Sequence, residues 1–400
     1  MTDLSQRRLS IMGIRGVPAH HGGFETFTER LAPYLAQSGW EVTVYCQADD
    51  HAAPREVDWQ GVRCVHLGVG PDTAWHSIVF DWACIRHALQ DQPRPPLVLT
   101  LGYNTAFFGL RLRAAGVHHV INMDGIEWAR DKWGPLAKAW LYLNDWAGCL
   151  GAHHLVADHP QIARHLSTRV NKMKVSTIPY GTDLLPPADE AQLAPLGLTP
   201  GGYVTLIARP EPENSVLEIV RAFSARPRGV KLLVLGHYAP ERVPYHAQVL
   251  ASAGPEVVFA GAIFDRQIVN ALRRHGLLYL HGHQVGGTNP SLIEAMGAGN
   301  AVLAHDNRFN RWVVREGAKY FHDTASCDQA LGQLLADASE RERLGRANLA
   351  RARSAFSWAV VLSQYELMLS ALHDRAQGQG GGKALPYAGT LDTVNSVDLT

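Results

Sequence analysis

Short apolar runs rich in β-branched residues alternate along the chain with longer stretches whose apolar side chains recur at helical spacing. That alternation predicts parallel sheets flanked by helices. In the first half, LSIMGI, EVTVYC, VRCVHLG, LVLTLG, HVINMD, HLVAD and KVSTIP read as strands, with helices near 25–37 and 75–89 between them. Together they predict one doubly wound domain over residues 1–184.

The pattern breaks at YGTDLLPPADEAQLAPLGLTPGG, where Pro186, Pro187, Pro195 and Pro200 interrupt regular structure, so the stretch reads as a linker. Alternation resumes with YVTLIA, VKLLVLG, EVVFAG, GLLYLHG and AVLAHD as strands, and with helices near 216–224, near 266–275 and after Pro290. A second domain of the same kind is expected over 185–354, followed by a helix at about 355–374 packing back on the first. The Gly-rich polar tail, 377–400, reads as disordered. The expected fold class is α/β, with two doubly wound Rossmann-like domains facing across a cleft and ligands outside the carboxyl ends of the strands.

Composition narrows the function classes. The 37 basic and 37 acidic side chains cancel, so no global field attracts nucleic acid. Five scattered cysteines form no CxxC pair, which fits a reducing cytoplasm better than a disulfide frame or a zinc knuckle. No run approaches the roughly 18 apolar residues of a spanning helix; any membrane contact is expected to be peripheral, on the inner face. His281, His283 and the HHLVADH stretch supply no convincing metal-ligand set, and no DxD triplet occurs, so neither a metal nor a cofactor is predicted.

The chemistry concentrates in GGTNPSLIEAMGAGNAV. Gly286 and Gly287 let backbone amides approach a ligand, Thr288 or Asn289 can cap the helix that follows, and Pro290 suits its first turn. Glu294, one turn further on, would repel a phosphate lying on those amides but can accept hydrogen bonds from an adjacent diol. A phosphate on the loop beside a ribose on the acid describes a nucleotide. A plain turn followed by a solvated helix glutamate is the competing interpretation.

The stretch NPSLIEAMGAGNAVLA, together with IARPEPENSVLEIVRAF, IPYGTD and FSWAVVLSQYELML, resembles the retaining glycosyltransferases of family 4 and the GT-B fold, over about residues 8–372. The resemblance implies that Glu294 holds the nucleotide ribose. It also implies a second glutamate eight positions earlier, where this chain has Gly286, and a lysine five residues after Arg209, where it has Asn214. GIRGVPAHHGGFETF, NMDGIEWARDKW and HGHQVGGTNPSLIEAMG resemble a bacterial branch that includes rhamnosyltransferases of capsule and cell-wall polysaccharide assembly. That branch implies a dTDP-L-rhamnose donor, with UDP- or GDP-hexoses as alternatives, and a saccharide acceptor carried on a polyprenyl diphosphate.

Arg209, at the end of YVTLIA, is placed to grip a diphosphate or to pair at the surface with Glu211 or Glu213; the resemblance favours the diphosphate. Asn214, Thr288 and Asn289 complete the expected donor-binding set on this side. Gly22 and Gly23 precede a helix and are expected to approach the donor phosphates, with His21 and, less so, His20 nearby. Asp124 ends HVINMD, where it can orient an acceptor hydroxyl, contact the donor sugar or cap the next helix, while Glu127 and Trp128 are acceptor-side candidates. WARDKWGPLAKAWLYLNDWAG reads as a mostly buried packing helix, too sparse in cations for a strong interfacial one. The main rival is a sugar-nucleotide oxidoreductase or epimerase, whose GxGxxG is replaced here by GIRGVPAHHGG. A binding protein with a decayed site is the other.

Overall fold

The computed structural model describes residues 7–19, 22–71, 73–130, 132–379 and 384–389. The chain forms two compact units, one of residues 1–180 with 361–400 and the other of 181–360.

Unit 1 is built on β1 (Arg8–Met12), β2 (Glu41–Ala48), β3 (Arg55–Trp59), β4 (Val62–Gly68), β5 (Leu97–Leu101), β6 (His118–Asn122), β7 (His154–Ala157) and β8 (Val175–Thr177). They form one eight-stranded sheet in the order β3-β4-β2-β1-β5-β6-β7-β8. Every pairing is parallel except β3 with β4. Helices α1 (Gly23–Gln37), α2 (Ala74–Gln90), α3 (Leu110–Ala114), α4 (Pro135–Gly151) and α5 (Pro160–Leu166) make the crossovers. Strands covered on both faces read as nearly continuous apolar runs, as in Leu9–Met12 and Leu97–Leu99, all buried. The strand absent from the sequence reading, β3, is an exposed polar edge joined to β4 through Gln60 and Gly61, both at positive φ as a two-residue hairpin requires.

Unit 2 carries β9 (Tyr203–Ile207), β10 (Lys231–Leu235), β11 (Val257–Gly261), β12 (Tyr279–His281), β13 (Val302–His305) and β14 (Ala318–Phe321) in the order β11-β10-β9-β12-β13-β14, all parallel. Around it lie α6 (Val216–Ser224), α7 (Pro244–Ala251), α8 (Arg266–His275), α9 (Pro290–Gly297), α10 (Arg308–Val314), α11 (Thr324–Ala336) and α12 (Ala338–Arg351). The linker is more ordered than its prolines suggest. Its 3-10 turn Glu190–Leu196 includes Pro195 and drives Leu193 into a core with Tyr203 and Leu272.

The last helix, α13 (Trp358–Ala376), belongs to unit 1 from Val361 onward. There Tyr365 accepts a buried hydrogen bond from Asn122 Nδ2 (2.9 Å), and Glu366 accepts one from the Tyr34 hydroxyl (2.6 Å). Residues 384–389 of the tail depart from the expected disorder. Leu385 is buried, Ala388 bridges Ser176 on β8, and the Gly389 amide donates to the Val175 carbonyl at 3.0 Å. The tail therefore covers an edge strand that would otherwise present unpaired backbone.

Candidate functional site

In an open parallel sheet the strand order reverses at one point, and loops diverging there leave a crevice. In unit 2 that point lies between β9 and β12. The loop after β9 carries Arg209, and the loop after β12 carries Gly286, Gly287 and Thr288. Hydrogen bonds join the two loops. Gln284 N–H donates to the Glu213 carbonyl (2.9 Å), Ser215 Oγ donates to the Gly282 carbonyl (2.8 Å), and Gln284 Nε2 donates to Ser215 Oγ (2.9 Å). A side chain at Gly282 would meet the Asn214 carbonyl, which is why the loops can lie so close.

Within this frame Arg209 points outward, its side chain 63% exposed and only loosely paired with Glu211 at 3.9 Å. Such a contact is too weak to hold the guanidinium away from an arriving anion. Asn214 supports this loop from within. It is buried, and its Nδ2 donates to the Arg209 carbonyl at 2.8 Å, so it fixes the backbone from which Arg209 projects. His281 lies buried at the end of β12 and stacks on His283 at 4.5 Å. Burial, with His283 and His305 nearby, holds its pKa well below the usual value, so it adds no positive charge.

Gly286 adopts φ 128°, and a β-carbon there would point into open space. The family's glutamate would fit sterically but not conformationally, because that backbone region excludes L side chains. Thr288 is buried, and Asn289, not Thr288, is the N-cap of α9: its Oδ1 accepts from Ser291 N–H at 3.0 Å.

Glu294 is not a freely solvated helix residue. Its Oε2 pairs with Arg273 Nη2 from the last turn of α8; the arginine side chain is 7% exposed and the glutamate's 36%. The pair orients one carboxylate oxygen and leaves the other as an acceptor. The basic end Arg273, Arg274, His275 was visible in the sequence, but nothing there paired Arg273 with a residue 21 positions away.

In unit 1 the strand order reverses between β1 and β5, and a cavity of about 170 Å³ opens there. Its lining includes Gly13, Arg15, Glu25, Asp81, Asn104 and Thr105. Asp81 accepts a hydrogen bond from Thr105 Oγ1 at 2.7 Å, and burial pushes its pKa up to about 6. Sequence reasoning missed Asp81. The available signal was a carboxylate at a core-facing register of α2, one turn before the fully buried Cys84.

The other unit 1 candidates are distributed differently. Gly22 is the N-cap of α1 with no side-chain cap, but Glu25 folds back over it and accepts from Arg15 N–H at 3.2 Å. A phosphate at Gly22 and Gly23 would meet that carboxylate. His20 and His21 lie outside the described residues. Asp124 is not a helix cap, since the 3-10 turn Glu127–Ala129 is preceded by Ile126. Its pKa is raised to about 6, by burial first and then by the charge of Glu127. Glu127 is caged by Arg130 (2.8 Å), Lys132 (3.3 Å) and Trp133 Nε1 (3.2 Å). Burial favours its neutral form, yet these partners outweigh that and hold its pKa below the ordinary value. Trp128 donates to buried Asp145 at 2.7 Å and is one of three aromatic rings around Arg169. Glu127 and Trp128 are thus both engaged by neighbouring side chains.

A family model described as "Domain of unknown function (DUF1972)" matches residues 6–183. The D-inositol 3-phosphate glycosyltransferase of Nocardia farcinica is 28% identical over 96% of this chain and 94% of its own. Sucrose-phosphate synthase from Thermosynechococcus elongatus superposes with a TM-score of 0.79 at 19% identity, over 92% of this chain and all (100%) of that one. The chain has the fold of the GT-B glycosyltransferases. Another solved GT-B neighbour, Anabaena Alr3699/HepE in complex with UDP, has a TM-score of 0.71 at 14% identity, covering 91% of this chain and 100% of its own.

Proposed function

We propose that this chain is a GT-B glycosyltransferase that moves a sugar from a nucleotide-sugar donor to a saccharide acceptor, with retention at the anomeric carbon. The observation that carries the reading is the joined loop pair at the unit 2 switch point. The loops present an outward arginine and glycine amides, and the helix that follows carries a carboxylate oriented by Arg273.

In this reading the amides of Gly286 and Gly287 and the guanidinium of Arg209 take the diphosphate, and the open oxygen of Glu294 accepts from the ribose. Charge builds on the diphosphate as the glycosidic bond breaks, and donors fixed beforehand stabilise it without reorganising. A departing phosphate oxygen that takes the acceptor's proton removes the need for a protein nucleophile. Asp124 and the cavity carboxylate Asp81 are assigned to hydroxyl groups, Asp124 to the acceptor or the transferred sugar and Asp81 to the acceptor. Both have raised pKa values, but at pH 7 they remain mostly ionised and accept hydrogen bonds.

The branch resemblance makes dTDP-L-rhamnose the first donor to test, and surface-polysaccharide assembly on a polyprenyl-diphosphate-linked saccharide the first setting. The UDP named for the Anabaena neighbour favours a UDP-hexose as the second. The test is release of free nucleotide from a panel of dTDP-, UDP- and GDP-sugars. One donor class should turn over slowly without acceptor, and Arg209→Ala should slow that release by about 10- to 100-fold, the equivalent of one charge-assisted bond. Reduction of NAD with no nucleotide release would favour an oxidoreductase instead.

A further inference from the structure

Helix α4 presents two faces. Leu141, Asn144, Asp145, Gly148 and Cys149 are buried against unit 1, as the sequence predicted for a packing helix. Leu136, Trp140, Leu143 and Leu150, spaced at i, i+4, i+7 and i+14, form a second stripe that faces out. Leu136 is 88% exposed and Leu143 66%. The stripe continues sideways. Phe107 donates its backbone N–H to Asn144 on α4, Leu110 abuts Gly151, and both Phe107 and Leu110 are exposed. A contiguous apolar surface of this kind marks an interaction site.

The surrounding charge selects the partner. Residues 104–123 contain no acid, and 133–152 contain one, Asp145, which is buried in an ion pair with Arg169. The exposed cations stand at the α3 end: Arg111 and Arg113 lie on α3, with Arg113 near the Gly151 carbonyl (3.4 Å), whereas Lys132, beside Trp133 ahead of the helix, is already paired with Glu127. Neutral overall charge therefore conceals a locally positive, aromatic-edged apolar face.

We infer that the outer face of α4 docks on an anionic phospholipid surface, with Leu136, Trp140, Leu143 and Phe107 entering the headgroup boundary and the flanking cations meeting lipid phosphates. Among the described residues no helix is long and apolar enough to cross a membrane, so the contact is lateral. A second copy of this chain is the less suitable partner, because a two-fold interface on this stripe would bring like cations together. This surface lies wholly within unit 1, so its lipid contact is independent of which donor the protein takes.

The test is co-sedimentation of the full chain with phosphatidylcholine vesicles containing roughly 30% phosphatidylglycerol, against phosphatidylcholine alone, at low and high salt. The expected result is binding at least about tenfold stronger to the anionic vesicles, weakened by salt. Leu136→Asp with Leu143→Asp should abolish it while thermal midpoint and nucleotide affinity stay unchanged. Leu136→Asp alone, at a site without packing to lose, should weaken binding and guards against misfolding of the double variant. Absence of binding, binding indifferent to these substitutions, or a wild-type dimer that the double variant dissolves would overturn the inference.

Discussion

Glu294 shows how a neighbour changes what a mutation measures. Truncation to alanine removes an acceptor, but it also leaves Arg273 nearly buried without its counter-charge. Losing one member of a buried pair costs about 3–5 kcal/mol, less here because the glutamate is partly solvated. Glu294→Ala should therefore lower both nucleotide affinity and melting temperature. Glu294→Gln keeps a hydrogen-bonding side chain in place and should lose about tenfold in nucleotide affinity by calorimetry with a smaller change in melting temperature. Unchanged affinity in both variants removes the ribose assignment. Asp81 offers a second residue-scale test. Its folded pKa of about 6 exceeds its ordinary 3.8, so the proton binds the native state more tightly. The associated stability is complete below about pH 4 and disappears as pH rises through about 6. Asp81→Asn avoids that loss. The variant should be more stable than wild type at pH 7–8, by about 1–3 kcal/mol allowing for cavity water, and the gap should close toward pH 4. A gap that does not vary with pH refutes the assignment.

At the scale of elements, periodicity carried most of the fold because both sheets are parallel and covered on both faces. Helices α6 and α8 lie where apolar spacing put them, and the strands around them are the runs the sequence shows. The β3 strand was not legible, since an edge strand without a buried face has no apolar signature. The outer stripe of α4 was misread for the opposite reason: apolar spacing identifies an apolar face, not what covers it. The linker turn around Pro195 eluded the reading because proline is tolerated in a short 3-10 turn whose bonds do not require its missing N–H. In the candidate site, Arg209, Gly286 and Glu294 were legible through local motif. The tasks of Asn214, Arg273 and Asp81 depend on contacts that only the folded chain creates.

At the scale of the whole molecule, unit 1 draws on both ends of the chain. Tyr365 and Glu366 bond to Asn122 and Tyr34, and the segment around Leu385 lies along β8, where Ser176 Oγ donates to the Pro386 carbonyl at 2.9 Å. Ending the chain after residue 379 should uncover β8 and lower the melting temperature by several degrees, since about 1 kcal/mol corresponds to roughly 2–4 °C in a domain this size. Light scattering should also show more self-association from the exposed strand edge. An unchanged midpoint and a clean monomer would mean that the segment adds nothing to unit 1.

The same arrangement sets an order of assembly during synthesis. Unit 2, an uninterrupted stretch, has all its residues as soon as position 360 clears the ribosome, whereas unit 1 must wait for its closing helix from the final tenth of the chain. A premature stop in that last stretch would cripple the lobe that was made first and spare the one made second.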